Sequence, residues 1–289
     1  MGKALVLTLA VAASAVPVPP ALATHVGCGD IVTQDTTLDS DLLDCPGNAV
    51  RVDGDGVTLD LGGHVIDGTG RGLGILAIRT SRTVVRGGRV AEFHDAIVLD
   101  GVTAPVVRDV AVADSHDGIL VIGGEGALVE RVVASGHDGS GINLPGARGV
   151  VVRDSTMVRN AAAVSAVGQT DGRFERNLFG WNLFHGMRFA ALGDTVLDRN
   201  RLPGNGTYGI RLEDGSAGNT LTRNHVVGSG GDGISLAEDS GANALERNHA
   251  DRNGGLGFDA PLGVTVDLLN KARRNGDPRQ CVGVDCAQP

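Results

Sequence analysis

The sequence RFERN at residues 173–177 returns as VLDRN at 196–200, TLTRN at 220–224 and ALERN at 244–248. Asn270 continues the series, so successive asparagines are 23, 24, 24 and 22 residues apart. Self-similarity at a fixed period of this length is typical of proteins built from stacked repeats. We therefore expect an array of short, equivalent units.

The same period continues backward from Asn177 to Asp154, Val132, Asp109 and Gly87. Three positions before each member of the column the residue is apolar. These apolar residues are Val84, Val106, Val129, Val151, Phe174, Leu197, Leu221 and Leu245. A column that is apolar in every unit predicts a continuous core.

Two further apolar columns lie two positions apart in each unit, the spacing of side chains on one face of a strand. Their pairs are Ile75/Ala77, Ile97/Leu99, Ile119/Val121, Ile142/Leu144, Val164/Ala166, Met187/Phe189, Ile210/Leu212, Ile234/Leu236 and Phe258/Ala260. Such strands, with no helical pattern between them, predict an all-β, single-stranded right-handed parallel β-helix. It should have about nine coils of 22–24 residues over residues 50–270. A propeller blade would need about 40 residues or more.

The asparagine column is expected to be structural. Asn tolerates the left-handed conformation of a tight turn, and stacked amides can hydrogen-bond from rung to rung. The open ends of such a rod must be covered. Residues 24–49 and 271–289 are therefore expected to form the two caps.

The cysteines predict one disulfide in each cap. Cys28 and Cys45 lie far from Cys281 and Cys286, so local pairing within each end is expected. Residues 1–23 predict an export signal, with Lys3 before a short apolar run and an A-x-A site at 21–23. That run is too short to span a bilayer. The sequence predicts a secreted or periplasmic monomer without a membrane-inserted segment.

Composition narrows the partners. The formal net charge is −9, which argues against a nucleic-acid binder, because these proteins are usually basic. The 45 glycines, with few aromatics, suit many short strands and tight turns. The sequence lacks the glycine at every third position that collagen requires.

Three runs resemble the repeats of the pectin-lyase-like superfamily. They are His116-Asp117-Gly118-Ile119, Glu246-Arg247-Asn248 and Val57-Thr58-Leu59-Asp60-Leu61-Gly62-Gly63-His64, and the likeness covers roughly residues 50–270. The superfamily includes polysaccharide lyases, hydrolases, mannuronan epimerases, phage tailspikes and periplasmic copper-maturation proteins. The resemblance therefore implies the fold and does not select one activity.

Three His-Asp pairs are the first candidate site. His94-Asp95, His116-Asp117 and His137-Asp138 are 22 and 21 residues apart, so they should stack near one turn, with Gly139 and Ser140 resembling an insertion. A His beside a carboxylate can act as a general acid or base. The superfamily's mannuronan epimerases carry a similar pair and use His for proton abstraction, although no Pro precedes the pairs here. The alternative is ordinary Asp-Gly turn chemistry.

An arginine stands immediately before the asparagine column in eight coils. The ladder comprises Arg86, Arg108, Arg131, Arg153, Arg176, Arg199, Arg223 and Arg247. It could bind an acidic polysaccharide through bidentate pairs, with Arg86 and Arg108 as clamps for the uronate carboxylate. Alternatively, interleaved acidic residues such as Glu130 neutralise the ladder, which would then be a salt-bridged face.

Other features leave the activity open. Trp181 and Phe184 either stack on a sugar or fill a wide coil. Stacked His and Asp side chains could bind copper, and Asp53-Gly54-Asp55-Gly56 could bind Ca²⁺, although no cofactor is predicted. The leading hypothesis is a lyase or epimerase of acidic polysaccharide. The alternatives are a noncatalytic extracellular scaffold or binding rod, and a periplasmic copper-handling protein.

Overall fold

A computed structural model describes residues 25–261 and 265–287, with side chains described for all but 265–268. The expected export signal at residues 1–23 lies outside the described residues. Within the described ranges the secondary structure is entirely β, and every strand pairing is parallel. The chain winds into a right-handed β-helix of about eleven turns. Each coil contributes in order to three sheets, named here sheets 1, 2 and 3.

Sheet 1 contains twelve strands, ordered along the rod as they follow one another in the chain. They are Asp30–Val32, Val50–Val52, Leu73–Ile78, Asp95–Asp100, Asp117–Ile122, Ser140–Pro145, Ala162–Val167, Met187–Ala190, Ile210–Glu213, Ile234–Leu236, Phe258–Asp259 and Cys281–Val282. Nine of them are the predicted rungs. The other three come from residues 24–52 and the C-terminal segment, so the expectation of nine coils was too low.

Sheets 2 and 3 meet at a sharp corner. Two long strands, Val84–Ala91 and Val106–Ala113, pass through both sheets. The remaining strands of sheet 2 are Thr36–Thr37, Thr58–Asp60, Leu128–Glu130, Val151–Arg153, Arg173–Glu175, Val196–Asp198, Thr220–Thr222, Asn243–Glu246 and Thr265–Leu268. Those of sheet 3 are Leu42–Cys45, Val65–Gly68, Val133–Ser135, Thr156–Val158, Leu178–Gly180, Arg201–Pro203, His225–Val227, His249–Asp251, Asn270–Arg273 and Cys286–Ala287.

The core follows the predicted columns of sheet 1. Ile97, Ile119 and Ile142 are in register and buried. In sheet 2 the inward column is offset by one residue in some coils. Val85, Val107 and Val152 point inward there, in line with Val129 and Phe174.

We number the turns by position: turn 1 joins sheets 1 and 2, turn 2 joins sheets 2 and 3, and turn 3 joins sheets 3 and 1. The predicted asparagine column forms a buried ladder in turn 2. For example, Asn200 Nδ2 donates to Asn224 Oδ1 at 3.0 Å. The left-handed residue of this turn is the preceding arginine, as at Arg199 (φ 54°), and not the asparagine as expected. The column also continues backward through Ser155 and Val132 instead of Asp154.

Both predicted disulfides form, Cys28–Cys45 and Cys281–Cys286. They lie in the first and last coils. A search of the described residues finds no helix with the length and apolar character needed to span a membrane.

Candidate functional site

Turn 3 brings His94 and His116 together on adjacent rungs, as their spacing predicted. Their ring centroids are 5.2 Å apart, with the planes tilted by 44°. The backbone N–H of His116 donates to the carbonyl oxygen of His94 at 2.6 Å. Both rings reach solvent, with side chains 64% and 50% exposed, so a ligand can approach both.

The aspartates of the first two pairs begin two strands of sheet 1 and are in register. Asp95 Oδ2 lies 3.1 Å from His94 Nδ1, and Asp95 Oδ1 accepts the N–H of Asp117 at 3.2 Å. Asp117 accepts instead from the N–H of Ser140 at 2.7 Å and from Asn143 Nδ2 at 2.8 Å. Asp95 therefore orients a histidine, whereas Asp117 fixes the start of the next strand.

His116 takes its carboxylate partner from the next rung. Its Nδ1 lies 2.8 Å from Asp138 Oδ1. This hydrogen bond raises the pKa of His116, and the negative charges of Asp117, Asp138 and Asp95 add to the effect, while partial burial opposes it. The contact joins two rungs, which is why the local pair His116-Asp117 did not reveal it.

His137 does not join the histidine stack. The spacing of 21 residues places it one position early, so that Asp138 aligns with His116, and Gly139 restores the register before Ser140. The His137 side chain is 2% exposed and points inward, with Nδ1 3.2 Å from both the N and the O of Ser115. Burial lowers the pKa of His137. The expected alignment of three equivalent His-Asp pairs is therefore corrected to two histidines and one aspartate.

A groove of about 450 Å³ opens beside the two histidines. Its lining includes Phe93, His94, Asp114, His116 and Asp138. Asp114 connects the groove to sheet 3, because its Oδ2 lies 3.2 Å from Arg89 Nη2. The groove combines two imidazoles with carboxylates and an arginine near its edge.

The predicted arginine ladder is a zigzag of two columns at turn 2. Arg86, Arg108 and Arg153 end sheet-2 strands and align with Asp60, Glu130 and Glu175. Arg131, together with Arg176, Arg199, Arg223 and Arg247, occupies the following left-handed position, where Asp109 and Asp154 stand in other coils. The single file of eight arginines expected from the sequence is therefore corrected to two columns. Carboxylates interrupt both columns towards the N-terminus, whereas Arg176, Arg199, Arg223 and Arg247 follow one another in the second.

Carboxylates neutralise most of this zigzag. Arg131 pairs with Asp109 at 2.7 Å and with Glu130 at 2.8 Å, and Glu130 also holds Arg153 at 2.8 Å. Arg86 pairs with Asp60 at 2.8 Å. Arg108 is the exception, since its Nε is buried without a hydrogen-bond partner. The salt-bridged interpretation accounts for the geometry of Arg86, Arg131 and Arg153.

The arginines proposed as clamps also lie away from the histidines. Arg86 and Arg108 are at the turn-2 edge of sheet 3, whereas His94 and His116 are at its turn-3 edge. The intervening four strand residues, 88–91, span about 13 Å. Arg89, on that stretch, is the arginine that contacts the groove lining, and sequence reasoning missed it because it lies outside the ladder.

His185 lies farther along the same edge of sheet 1. Its Nδ1 is 2.6 Å from Thr207 Oγ1, and its ring stacks on Tyr208 with centroids 5.8 Å apart. Burial lowers the pKa of His185. Its backbone pairs with the rung of Ala163, in the column of Asp117 and not that of His116.

Two other expectations concern aromatic and metal-binding residues. Trp181 and Phe184 are 56% and 49% exposed, so they do not fill the coil, whereas Phe174 and Phe189 do. Within residues 25–261 and 265–287, no three His, Cys, Asp or Glu side chains converge as a metal site would require.

Solved structures with a similar fold include three carbohydrate enzymes. The periplasmic alginate epimerase AlgG superposes with a TM-score of 0.61 at 13% identity, covering 90% of this chain and 78% of that one. The A-module of the Azotobacter vinelandii mannuronan C-5 epimerase AlgE6 superposes with a TM-score of 0.56 at 12% identity, covering 90% of this chain and 80% of that one. A mutant DFA-IIIase from Arthrobacter chlorophenolicus A6 superposes with a TM-score of 0.55 at 15% identity, covering 85% of this chain and 73% of that one. At these identities the likeness shows the fold alone.

No curated protein sequence matches the chain. The sequence model of the right-handed β-helix region matches residues 95–250, more than half of the 289 residues. The matched residues include His116 and Asp138 of the groove and the turn-2 asparagines from Asn177 to Asn248, whereas His94 and Asn270 lie outside the match. The chain belongs to the family of right-handed β-helix region proteins.

Proposed function

We propose that this chain is an exported protein that binds an acidic polysaccharide in the His94–His116 groove. There it acts by proton transfer, as a lyase or epimerase of uronates. The observation that carries the proposal is the pair of neighbouring imidazoles, each hydrogen-bonded to a carboxylate and open to a groove. The epimerases among the similar folds suggest the substrate class.

Export is the first part of the proposal. Its support is the leader-like segment at residues 1–23 and the two disulfides. Disulfides persist outside the cytoplasm, where thiols are not kept reduced. A secreted or periplasmic location would also give the protein access to extracellular polysaccharide.

His116 is the proposed base. Asp138 accepts a hydrogen bond from Nδ1–H, which leaves the Nε2 lone pair free to take a proton. The raised pKa of His116 increases its affinity for that proton. The proton removed would be the one α to the uronate carboxylate. The electron pair then either expels the neighbouring glycosidic oxygen, giving a lyase, or accepts a proton on the opposite face, giving an epimerase.

His94 and Arg89 supply the remaining roles. His94, 5.2 Å from His116 between ring centroids and oriented by Asp95, is the second proton carrier. Negative charge develops on the uronate carboxylate during proton removal, and a guanidinium beside it stabilises that charge. Arg89 is the nearest arginine linked to the groove. It takes the clamp role that the sequence assigned to Arg86 and Arg108.

A noncatalytic binding rod is the second candidate. One observation favours it: a similar His–Asp contact, His64 Nδ1 to Asp41 Oδ1 at 3.0 Å, occurs in an earlier coil outside the groove. Such contacts can therefore serve turns without chemistry. A copper-handling role has no such support among the described residues, because no metal-binding cluster is formed there.

The test is a panel of polygalacturonate and polymannuronate. A lyase would produce unsaturated uronates, measured by ultraviolet absorbance, and an epimerase would change the C5 configuration, measured by NMR. His94→Ala and His116→Ala are each expected to lower turnover by about 10²–10⁴-fold, the usual contribution of a general acid or base.

His64→Ala is the matched control, since it removes a His–Asp contact outside the groove and should leave turnover unchanged. Absence of turnover by the parent protein on the whole panel would reject the enzyme and favour the rod. Stoichiometric copper binding that is lost in His94→Ala would favour metal handling instead.

A further inference from the structure

Sheet 3 presents a column of basic side chains on its outer face, far from the histidine groove. Arg201 is in register with His225, His225 with His249, and His249 with Lys271. One basic side chain therefore stands on each of four successive rungs, about 4.8 Å apart. We call Arg201, His225, His249 and Lys271 the cationic strip.

The strip is uncompensated, in contrast to the salt-bridged zigzag of turn 2. In the part of the chain that the structure describes, none of its four side chains forms an ion pair. The neighbouring carboxylate, Asp251, is buried and is held by Arg273 at 3.1 Å. The chain as a whole carries a net charge of −9, so a local run of basic side chains without ion pairs is unusual and attracts an anionic ligand.

The strip begins at an apolar cavity of about 440 Å³. Trp181, Leu178, Pro203 and Val227 form its walls, and Arg201 and His225 stand at its polar side. Trp181 lies close against Gly204, where a Cβ atom would be only 2.9 Å from its ring. The missing side chain thus seats the indole on the turn and leaves the rest of it exposed. An exposed indole can stack on the C–H face of a sugar ring.

We propose that the cationic strip binds an extended acidic polysaccharide, with one sugar ring stacked on Trp181 and anionic groups paired along Arg201, His225, His249 and Lys271. The ligand class rests on the proposed function, but the surface is separate. Arg201 lies about four rungs beyond His116, or roughly 19 Å along the rod. The strip would hold the chain outside the reactive groove.

Two observations favour a polysaccharide over a nucleic acid. The basic side chains repeat about every 4.8 Å along one column, which is roughly the length of one sugar residue. A single strand of nucleic acid stacks successive bases on several aromatic side chains, whereas the cavity at the strip offers Trp181 alone.

Binding should strengthen as the pH falls. Burial lowers the pKa of His225, as do the charges of His249, Arg201 and Arg252, and only Asp251 opposes them. His225 is therefore neutral near pH 7 and becomes a cation on acidification. A polyanion beside it would favour that charged form.

The test uses the only tryptophan in the chain, Trp181, as a fluorescent reporter in the full protein. Polygalacturonate is expected to change its emission at pH 6, and neutral dextran is not. The double variant R201Q/K271Q should bind polygalacturonate about tenfold more weakly, since two charge-assisted contacts are lost. The double variant R223Q/R247Q removes the same charge from turn 2 and should bind within twofold of the parent.

Several results would overturn the inference. They are an unchanged emission in the parent, an equal loss in both double variants, and binding of an oligothymidylate as tight as that of polygalacturonate. The double variant H94A/H116A should retain strip binding even where turnover is absent. Loss of the fluorescence response in that variant would place the glycan in the groove and not on sheet 3. Failure of the strip and failure of the proposed reaction are thus measured separately.

Discussion

Turn 3 is built differently in the two halves of the rod. In the C-terminal coils its inward position is mostly a buried asparagine and the next position a glycine. The asparagines are Asn182, Asn205, Asn253 and Asn275, and the glycines are Gly206, Gly230, Gly254 and Gly276. In the N-terminal coils the inward residues are Phe93, Ser115 and His137, and the outward ones are His94, His116 and Asp138.

The same turn therefore has a structural role in the C-terminal half of the rod and carries the candidate site in the N-terminal half. Asn205 Oδ1 accepts both the N–H of Asn182 at 3.2 Å and its Nδ2 at 2.9 Å, so the C-terminal turns are held from the inside. In the N-terminal half, other side chains replace the amides: Ser115 Oγ accepts the N–H of Phe93 at 3.1 Å, and His137 Nδ1 lies 3.2 Å from the N of Ser115. The outer positions there carry side chains suited to binding and proton transfer.

Removing one amide from the C-terminal ladder should have the largest effect. Asn205→Ala leaves the N–H and amide of Asn182 and the carbonyl of Phe179 without their partner. Each buried unsatisfied group costs on the order of 1–3 kcal/mol, so we expect a loss of about 2–4 kcal/mol, measured by urea unfolding. Asn205→Ser is the control. Ser115 stands in the same column and its Oγ accepts the N–H of Phe93, so serine can replace one of the lost bonds and should cost less. Equal losses would show that the ladder bonds are not what stabilises the turn.

A side chain added to the glycine column should cost somewhat less. In Gly230→Ala the new Cβ would lie 2.1 Å from the carbonyl oxygen of Gly206, so the turn must move. Overpacking of this kind costs about 1–3 kcal/mol, measured by urea unfolding. Ala161 occupies the equivalent position nearer the N-terminus. Ala161→Gly should therefore change stability by under about 1 kcal/mol. A neutral Gly230→Ala would mean that the two turns tolerate side chains alike.

Sequence alone predicted the parts of the fold whose period is constant. The paired columns of sheet 1, such as Ile97/Leu99, kept their spacing in every coil and were confirmed. The columns of turn 2 were counted backward from the asparagines, and the count failed where Asp109 or Asp154 takes the left-handed position after an arginine. An Arg-Asp pair and a Glu-Arg pair each contain one arginine, but the arginine of the first pair lies one residue earlier in the register of the turn than that of the second.

The candidate site, like the fold, was predicted only where the spacing between coils is constant. His94 and His116 were placed together because their spacing of 22 equals one coil. His137, one residue short of that spacing, turned inward, and the contact of Asp138 with His116 was missed because it joins two rungs. The cationic strip was also missed, although each of its four members directly follows an asparagine of the column, because the residue type changes from rung to rung.

Replacing His137 by asparagine would extend the asparagine ladder of turn 3 into the N-terminal half. We expect this change to alter the pH dependence of the free energy of unfolding. Burial lowers the folded-state pKa of His137 below its ordinary value of 6.5. Its contribution to stability is therefore present above pH 6.5 and is lost as the pH falls from 6.5 towards the lowered value. His137→Asn has no such titration and should be less sensitive to acid. Between pH 7.5 and 5 the variant should lose less of its free energy of unfolding than the parent, measured by unfolding at both pH values. Parallel losses would show that His137 does not titrate differently on folding.

The smallest expected effect concerns the outward histidine, and it tests the N-terminal turn as a site. The hydrogen bond to Asp138 is the main cause of the raised pKa of His116. Asp138→Asn should therefore lower that pKa part of the way towards its ordinary value, since Asp117 and Asp95 keep their charges. A raised pKa stabilises the fold below pH 6.5, and this contribution is lost as the pH rises through the raised value.

NMR titration of the histidine ring protons measures the pKa shift of His116 directly. His64, paired with Asp41, provides an unaffected resonance in the same spectrum. If His116 is the base, it must be neutral to take a proton, so the acidic limb of kcat/KM should move to lower pH in the variant by the same amount. A pKa shift without movement of that limb would leave His116 a turn residue. The polar N-terminal turn would then differ from the glycine turns in composition alone.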